Sequence, residues 1–173
     1  MAHADYFLKI DGVDGESVDK SHPNEIQIES WSWGETNSGS THSGSGLGVG
    51  KVSMQDFHFS KVLDKSTPLL MLACASGQHI KKATLTARKQ NNDAGFEFLH
   101  VQFTEILISS YADKTPPIEG TDANGQPVPS ENEPVESLSF NFAKIQWSYS
   151  YQNADGTAST VSFGWDLKKN QKF

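Results

Sequence analysis

Strand-like segments whose apolar residues change face along their length are the feature that most restricts the fold of this chain. In the segment Ile26 to Glu35, Ile26 and Ile28 fall on one face of an extended strand, and Trp31 and Trp33 fall on the other. The same change recurs in Val52 to Phe59, Phe96 to Tyr111 and Phe140 to Tyr151. A monomeric antiparallel sheet with one solvated side should not show this pattern repeatedly. Bent strands that close a barrel would explain part of it, and burial of an outer face against copies of the chain would explain the rest.

The remaining strand-like segments bring the count to about seven. Tyr6 to Ile10 and Val161 to Leu167 repeat apolar residues with the period of two of a half-buried strand, and Ala83 to Lys89 adds another strand. Either a bulge near Ser30 or apolar cover on both faces would account for the change of face within Ile26 to Glu35. These segments predict a mainly β barrel or sandwich. With 173 residues, the chain is expected to form a single domain over residues 1–173.

One helix is predicted between Pro68 and Ser76. Thr67 suits the N-cap position, Pro68 the first helical position, and Gly77 the left-handed position that ends a helix. The helix is apolar nearly all round, so packing against one sheet would leave part of it uncovered. A loop of the same chain or a neighbouring subunit would have to cover the remainder. The candidate core or interface residues of this helix are Leu69, Leu70, Met71, Leu72 and Cys74.

Composition restricts the function as much as the fold. Cys74 is the only cysteine, so no disulfide can form within the chain, and its apolar surroundings predict a core residue rather than a reactive thiol. A formal net charge of −7 opposes binding to phosphate backbones, so nucleic acid is not an expected partner. No apolar run approaches the ~20 residues of a membrane span, so membrane insertion is not expected. The N-terminal residues lack the regions of a cleaved signal peptide, which predicts cytoplasmic synthesis and leaves open export of the folded protein by a machine.

Two stretches interrupt the strands. Asn37 to Gly50 consists almost wholly of Gly, Ser, Thr and Asn, a flexible composition that cannot bury a core of its own and that suits a protruding arm. Asp113 to Pro134 holds five of the seven prolines and exceeds the usual loop length in a compact domain. We interpret the second stretch as a solvated surface excursion.

Motifs that carry chemistry are not found in the sequence. The glycines between positions 44 and 50 miss both the dinucleotide and the P-loop spacings, and they lead into a strand rather than a helix. Asp56 and His58 share a face of one strand and could form an acid–base pair, although such pairs are more often structural. The sequence therefore predicts no catalytic residue, no cofactor and no metal site. The histidines have no zinc-ligand spacing, and most are expected at the surface or an interface: His3, His22, His42, His58, His79 and His100.

Seven segments, in order and from end to end, resemble the Hcp family, the haemolysin-coregulated tube proteins of bacterial type VI secretion. They are YFLKIDGVDGES (Tyr6 to Ser17), IQIESWSWG (Ile26 to Gly34), VSMQDFHFSK (Val52 to Lys61), LLMLACASGQHI (Leu69 to Ile80), ATLTARK (Ala83 to Lys89), ISSY (Ile108 to Tyr111) and FGWDLKKN (Phe163 to Asn170). The resemblance implies a compact antiparallel β-barrel with one flanking helix, six copies of which form a ring. Stacked rings form the inner tube, which a contractile sheath drives out of the cell with a tip spike and effector proteins, some of them carried in the lumen.

The resemblance also suggests a role for the Gly/Ser-rich stretch, which in the family is an extended loop between subunits and stacked rings. The candidate inter-subunit or stacking residues are Ser38, Gly39, Thr41, Ser43, Gly44, Gly46, Leu47, Gly48 and Gly50. Asp113 to Pro134 is longer and richer in proline than the family pattern. The competing classes, a small hydrolase or a lectin-like binding module, would need a polar constellation in a pocket. A structural, non-enzymatic protein that is secreted without a cleaved signal peptide is the favoured interpretation.

Overall fold

The computed structural model of the chain describes residues 4–39, 50–89, 95–114 and 134–173. These residues form eleven strands and one helix, so the mainly β class predicted from the sequence is confirmed. The strands are β1 (Ala4–Ile10), β2 (Ile26–Ile28), β3 (Ser30–Ser32), β4 (Glu35–Asn37), β5 (Val52–Met54), β6 (Phe57–Val62), β7 (His79–Lys89), β8 (Phe96–Lys114), β9 (Val135–Gln152), β10 (Ala158–Asp166) and β11 (Gln171–Lys172). The helix α1 (Thr67–Ser76) lies between β6 and β7.

All strand pairs are antiparallel, and the main sheet has the order β11-β10-β9-β8-β7-β1-β2. Strand β6 pairs with β3 on one side and with β9 on the other, so the sheet curves back toward its own beginning. The described strands do not close a complete barrel, because β2 pairs with β1 and β3 pairs with β6, and no described strand pair joins these two ends. Strands β4 and β5 form a small second sheet.

The change of face in Ile26 to Glu35 results from a change of partner. Ile26 and Ile28 belong to β2, which pairs with β1, whereas Trp31 belongs to β3, which pairs with β6. The break lies at Glu29, whose backbone N–H donates to the Ser60 carbonyl at 2.8 Å. The segment therefore contributes three short strands rather than one. Together with the division of Val52 to Phe59 between β5 and β6 and the additional strand β11, this raises the predicted seven strands to eleven.

A bend in the two longest strands explains the changes of face in β8 and β9. Glu105 has a φ of 53°, in the left-handed region that non-glycine residues rarely adopt. Opposite it on β9, the Ala143 carbonyl accepts a hydrogen bond from the Leu167 N–H at 2.9 Å, beyond the end of β10. Because of this bend, residues on both sides of it reach one core: Leu99, Val101, Phe103, Ile106, Ile108, Phe140, Phe142 and Ile145.

The helix has the predicted position but a different start. The N-cap residue is Ser66, which makes no side-chain capping bond, so the prediction that Thr67 is the N-cap is wrong. The Thr67 hydroxyl instead accepts hydrogen bonds from the Asp64 N–H at 3.2 Å and the Lys61 Nζ at 3.1 Å. Gly77 ends the helix with a φ of 65°, as predicted, and its N–H donates to the Ala73 carbonyl.

Candidate functional site

One face of α1 is uncovered in the single chain. Leu70 and Ala73 are buried in the core, and Cys74 is half-buried against it. Leu69, Met71 and Leu72 are 44%, 46% and 61% exposed. The five candidate residues therefore divide between core and surface, as expected for an apolar helix packed on one sheet. The described residues supply no second surface for the exposed three.

Strand β10 offers an open backbone edge. One edge pairs with β9 along the whole strand. Among the residues that the structure describes, the other edge pairs with β11 only at Trp165 and Asp166, and the Gly164 carbonyl accepts from the Phe173 N–H. Proline and charged residues usually protect an edge strand from pairing with another chain. The segment Ala158–Phe163 contains neither. This edge is a template onto which a further strand could add.

Apolar side chains are exposed on one face of the sheet beside the open edge. Val161 and Phe163 on β10 are 61% and 40% exposed, and Tyr149 and Tyr151 on β9 are 44% and 41% exposed. Val161 pairs directly with Tyr149, and cross-strand neighbours lie on the same face of a sheet. These four residues, together with the open edge, are called the β10 surface below.

The base of the Gly/Ser-rich loop lies beside the β10 surface. A groove of ≈ 500 Å³ separates the β4–β5 hairpin from β10, with Val52, Phe163 and Trp165 in its lining. The Asn37 side chain ties the loop ends together, because its Oδ1 accepts from the Gly39 N–H at 2.8 Å and its Nδ2 donates to the Gly50 carbonyl at 3.2 Å. Among the loop candidates, Ser38, Gly39 and Gly50 belong to this base. Thr41, Ser43, Gly44, Gly46, Leu47 and Gly48 lie outside the described residues, as do His3, His42 and most of Asp113 to Pro134.

The sequence analysis missed a buried ionic cluster that joins β6, β9 and the start of α1. The Lys61 Nζ lies 2.6 Å from Glu136 Oε2 and 2.7 Å from Asp64 Oδ1, and the side chains of Lys61 and Glu136 are completely buried. The Tyr111 hydroxyl donates to Glu136 Oε1 at 2.7 Å. Burial, followed by its hydrogen bonds to Asp113 and Glu136, raises the pKa of the Tyr111 hydroxyl. The sequence contained a signal for this cluster. Lys61 lies on the same strand face as the buried Phe57 and Phe59, and Glu136 lies on the same strand face as the buried Leu138 and Phe140.

The polar pairs suggested by the sequence are arranged differently in the structure. Asp56 Oδ2 accepts a hydrogen bond from the Ser109 hydroxyl at 2.5 Å, so in the described part of the chain Asp56 and His58 do not form an acid–base pair. His22 is buried between two glutamates, contrary to the surface position expected for most histidines. The described residues contain no group of three or more His, Cys, Asp or Glu that could hold a metal ion. Nor do they include a helix of the length and apolar character needed to cross a bilayer.

Together these features define a class of protein: a small, mainly β chain whose described residues leave an apolar helix face uncovered and a strand edge unprotected. Residues 7–149 match the family described as "Type VI secretion system effector, Hcp". The chain is 42% identical over 168 residues to Protein hcp1 from Pseudomonas aeruginosa, with 96% of each chain covered.

Solved structures agree with these sequence matches. Hcp1 from Salmonella typhimurium is 33% identical with a TM-score of 0.74, and the alignment covers 100% of both chains. A structure described as a type six secretion system protein is 30% identical with a TM-score of 0.83, covering 99% of this chain and 100% of the other. The chain belongs to the Hcp family, whose members are secreted tube proteins of the type VI secretion system. This is not a known family of enzymes.

Proposed function

We propose that six copies of this chain close into a ring through the β10 surface and that the rings stack into the inner tube of the secretion machine. The open, uncharged edge of β10 carries the proposal, because a strand from a neighbouring copy would satisfy its unpaired backbone groups. The apolar side chains of the β10 surface, which share one face of the sheet, would be removed from water by the same contact. A contact that holds a ring together without a ligand should bury at least ~800 Å² per partner.

Negative-stain electron microscopy of the purified protein tests this proposal. We expect closed rings with six-fold symmetry at micromolar protein concentration. Particles of single-subunit size under the same conditions would contradict it.

The exposed face of α1 is proposed as a second contact between copies. Leu72→Asp should preserve the folded subunit, because the side chain is 61% exposed, and should weaken assembly by placing an unpaired carboxylate in an apolar contact. Gel filtration and a melting curve separate these two effects.

Leu70→Ala provides the matched control on the buried face of the same helix. Leu70 is 0% exposed, so its truncation should cost about 2–5 kcal/mol of folding free energy and lower the melting temperature of the subunit. If Leu72→Asp assembles like the parent protein, the helix face is not an assembly contact.

The loop Ser38 to Gly50 is proposed to act between stacked rings. Since Asn37 already ties the loop ends together, a deletion of Thr41 to Gly46, or Gly46→Trp, should leave circular dichroism and melting temperature nearly unchanged while secretion falls sharply. An unfolded variant would place the loop in the core, and normal secretion would make it a passive linker. Loss of the ring in these variants would move the role of the loop from stacking to ring closure.

The remaining parts of the proposal concern partners and export. The tube would act without catalysis and would contact the tip spike, the sheath and effector proteins, some of them inside its lumen. Synthesis in the cytoplasm and export by the type VI machine would follow from membership of the Hcp family. The net charge of −7 opposes a role in binding nucleic acid.

A further inference from the structure

The loop between β1 and β2 is held against the sheet by polar contacts from β7 and β8 and by ring stacking on β1. On β1, the Phe7 side chain is buried but is not part of the main core, which includes its neighbour Leu8. Its cover comes from the imidazole of His22, which stacks on the Phe7 ring at 4.3 Å, and from the Arg88 guanidinium of β7, 5.0 Å from the ring centroid. The cover of Phe7 therefore depends on His22 keeping its position.

Both ring nitrogens of His22 face carboxylates. Nδ1 lies 3.0 Å from Glu25 Oε2 on the same loop, and Nε2 lies 3.1 Å from Glu97 Oε1 on β8. A neutral imidazole has one N–H, and only the doubly protonated ring donates at both nitrogens. Because a carboxylate accepts hydrogen bonds and cannot donate them, this geometry is fully satisfied only by a positively charged His22.

A second anchor holds the same loop and does not depend on histidine. Arg88 donates to Asp19 Oδ1 at 3.0 Å and Oδ2 at 2.5 Å, and to Asp5 at 3.3 Å. The hydrogen bond from Arg88 lowers the pKa of the Asp19 carboxyl to about 2, so Asp19 stays ionised near neutral pH. It also accepts from the backbone N–H groups of Ser21 and His22, at 2.9 and 3.2 Å.

Two further features of the described residues bear on His22. His100 on β8 places its Nε2 2.9 Å from Glu97 Oε2, and its side chain is 42% exposed. The base of the loop is closed by backbone bonds alone, from Gly15 N–H to the Asn24 carbonyl and from Asn24 N–H to the Ser17 carbonyl. A change at His22 therefore acts on residues 18–22 and leaves the base of the loop closed.

We propose that His22 is a proton-controlled latch that fastens residues 18–22 over Phe7 when the ring carries two protons and loosens them when it loses one. Histidine is the side chain that ordinarily changes charge around pH 6.5. Loss of a proton leaves one of the two carboxylates facing a ring lone pair, which removes one charge-assisted hydrogen bond and adds a repulsive contact. Stabilisation of the loop by the latch is thus present at acidic pH and is lost as the pH rises.

Amide hydrogen exchange of Ser21 and His22 in the full-length protein tests the latch at pH 5.5 and pH 8. The protection factors, which correct for the intrinsic effect of pH on exchange, should fall about tenfold between the two pH values, the effect of losing one such hydrogen bond. Core amides of β7 and β8 should keep their protection and show that the subunit remains folded.

Three variants separate His22 from its neighbours. Glu97→Gln should flatten the pH response, because an amide accepts from the charged ring and donates to the neutral one. Asp19→Asn should lower protection at both pH values and keep the pH response, since it weakens the Arg88 anchor and the acceptor of the two measured amides but leaves His22 and its glutamates in place. His100→Gln should behave like the parent protein.

Three results would overturn the latch. The first is equal protection of Ser21 and His22 at both pH values in the parent protein. The second is a neutral His22 ring at pH 5.5, read from its side-chain ¹⁵N chemical shifts. A pH response that disappears in His100→Gln would also overturn the assignment, because it would place the switch on the other imidazole.

Discussion

Val161→Lys should leave the subunit folded and abolish its assembly into rings. Val161 is 61% exposed on the open edge of β10, so a lysine costs the isolated subunit little. In an assembled ring the same side chain would be buried without a counter-charge, at a cost of several kcal/mol per contact. Lysine on an edge strand is also a feature that natural proteins use to prevent strand addition. Sedimentation velocity measures the assembly state, and circular dichroism reports the fold.

The same substitution at another exposed valine is the control for Val161→Lys. Val18 is 98% exposed in the loop between β1 and β2, outside the β10 surface. Val18→Lys should therefore assemble like the parent protein. Rings of normal size formed by Val161→Lys would exclude the β10 surface as the ring contact.

Lys61→Met should destabilise the subunit by about 3–5 kcal/mol, because it leaves the completely buried Glu136 carboxylate without its cation. Asp64 would lose the same partner at the start of α1. Urea unfolding at neutral pH measures the free energy of unfolding.

The double variant Lys61→Met/Glu136→Leu is the matched control for the buried pair. Replacement of both charges by apolar groups of similar volume is often neutral or stabilising, so the double variant should recover most of the stability lost by Lys61→Met. If Lys61→Met unfolds at the same urea concentration as the parent protein, the pair is not essential to the core.

The changes of face along the strands could be predicted from the sequence, but their structural causes could not. The change of face from Ile26 and Ile28 to Trp31 and Trp33 indicates that this segment has apolar contacts on both of its faces. At Glu29 the segment changes its pairing partner from β1 to β6, and this change depends on strands that are distant along the chain. Strand pairing of this kind is decided by tertiary packing rather than by local preference.

The helix illustrates the same division between local and distant effects. Its length and its Gly77 terminus follow from residue preferences within a few positions, so both were predictable. Its start was not, because the Thr67 hydroxyl contacts Lys61, whose position depends on Glu136 of β9. The ion pair between Lys61 and Glu136 therefore places Lys61 where it bonds to the Thr67 hydroxyl, which does not serve as the N-cap.

The sequence predicted the apolar helix of the candidate site but not which of its side chains remain exposed. Which side chains remain uncovered depends on the face that meets β8, with Leu70 inside and Leu72 outside. The environment of His22 was not predicted either, because Glu97 is 75 residues away along the chain. Contacts at such separations leave no periodic pattern in one sequence.

Native mass spectrometry of the unmodified protein tests most directly whether this chain is a ring-forming subunit. The ring proposal predicts a dominant species of six subunits of 19.0 kDa, which persists on dilution to micromolar concentration. A spectrum dominated by the 19.0 kDa monomer under the same conditions would contradict it.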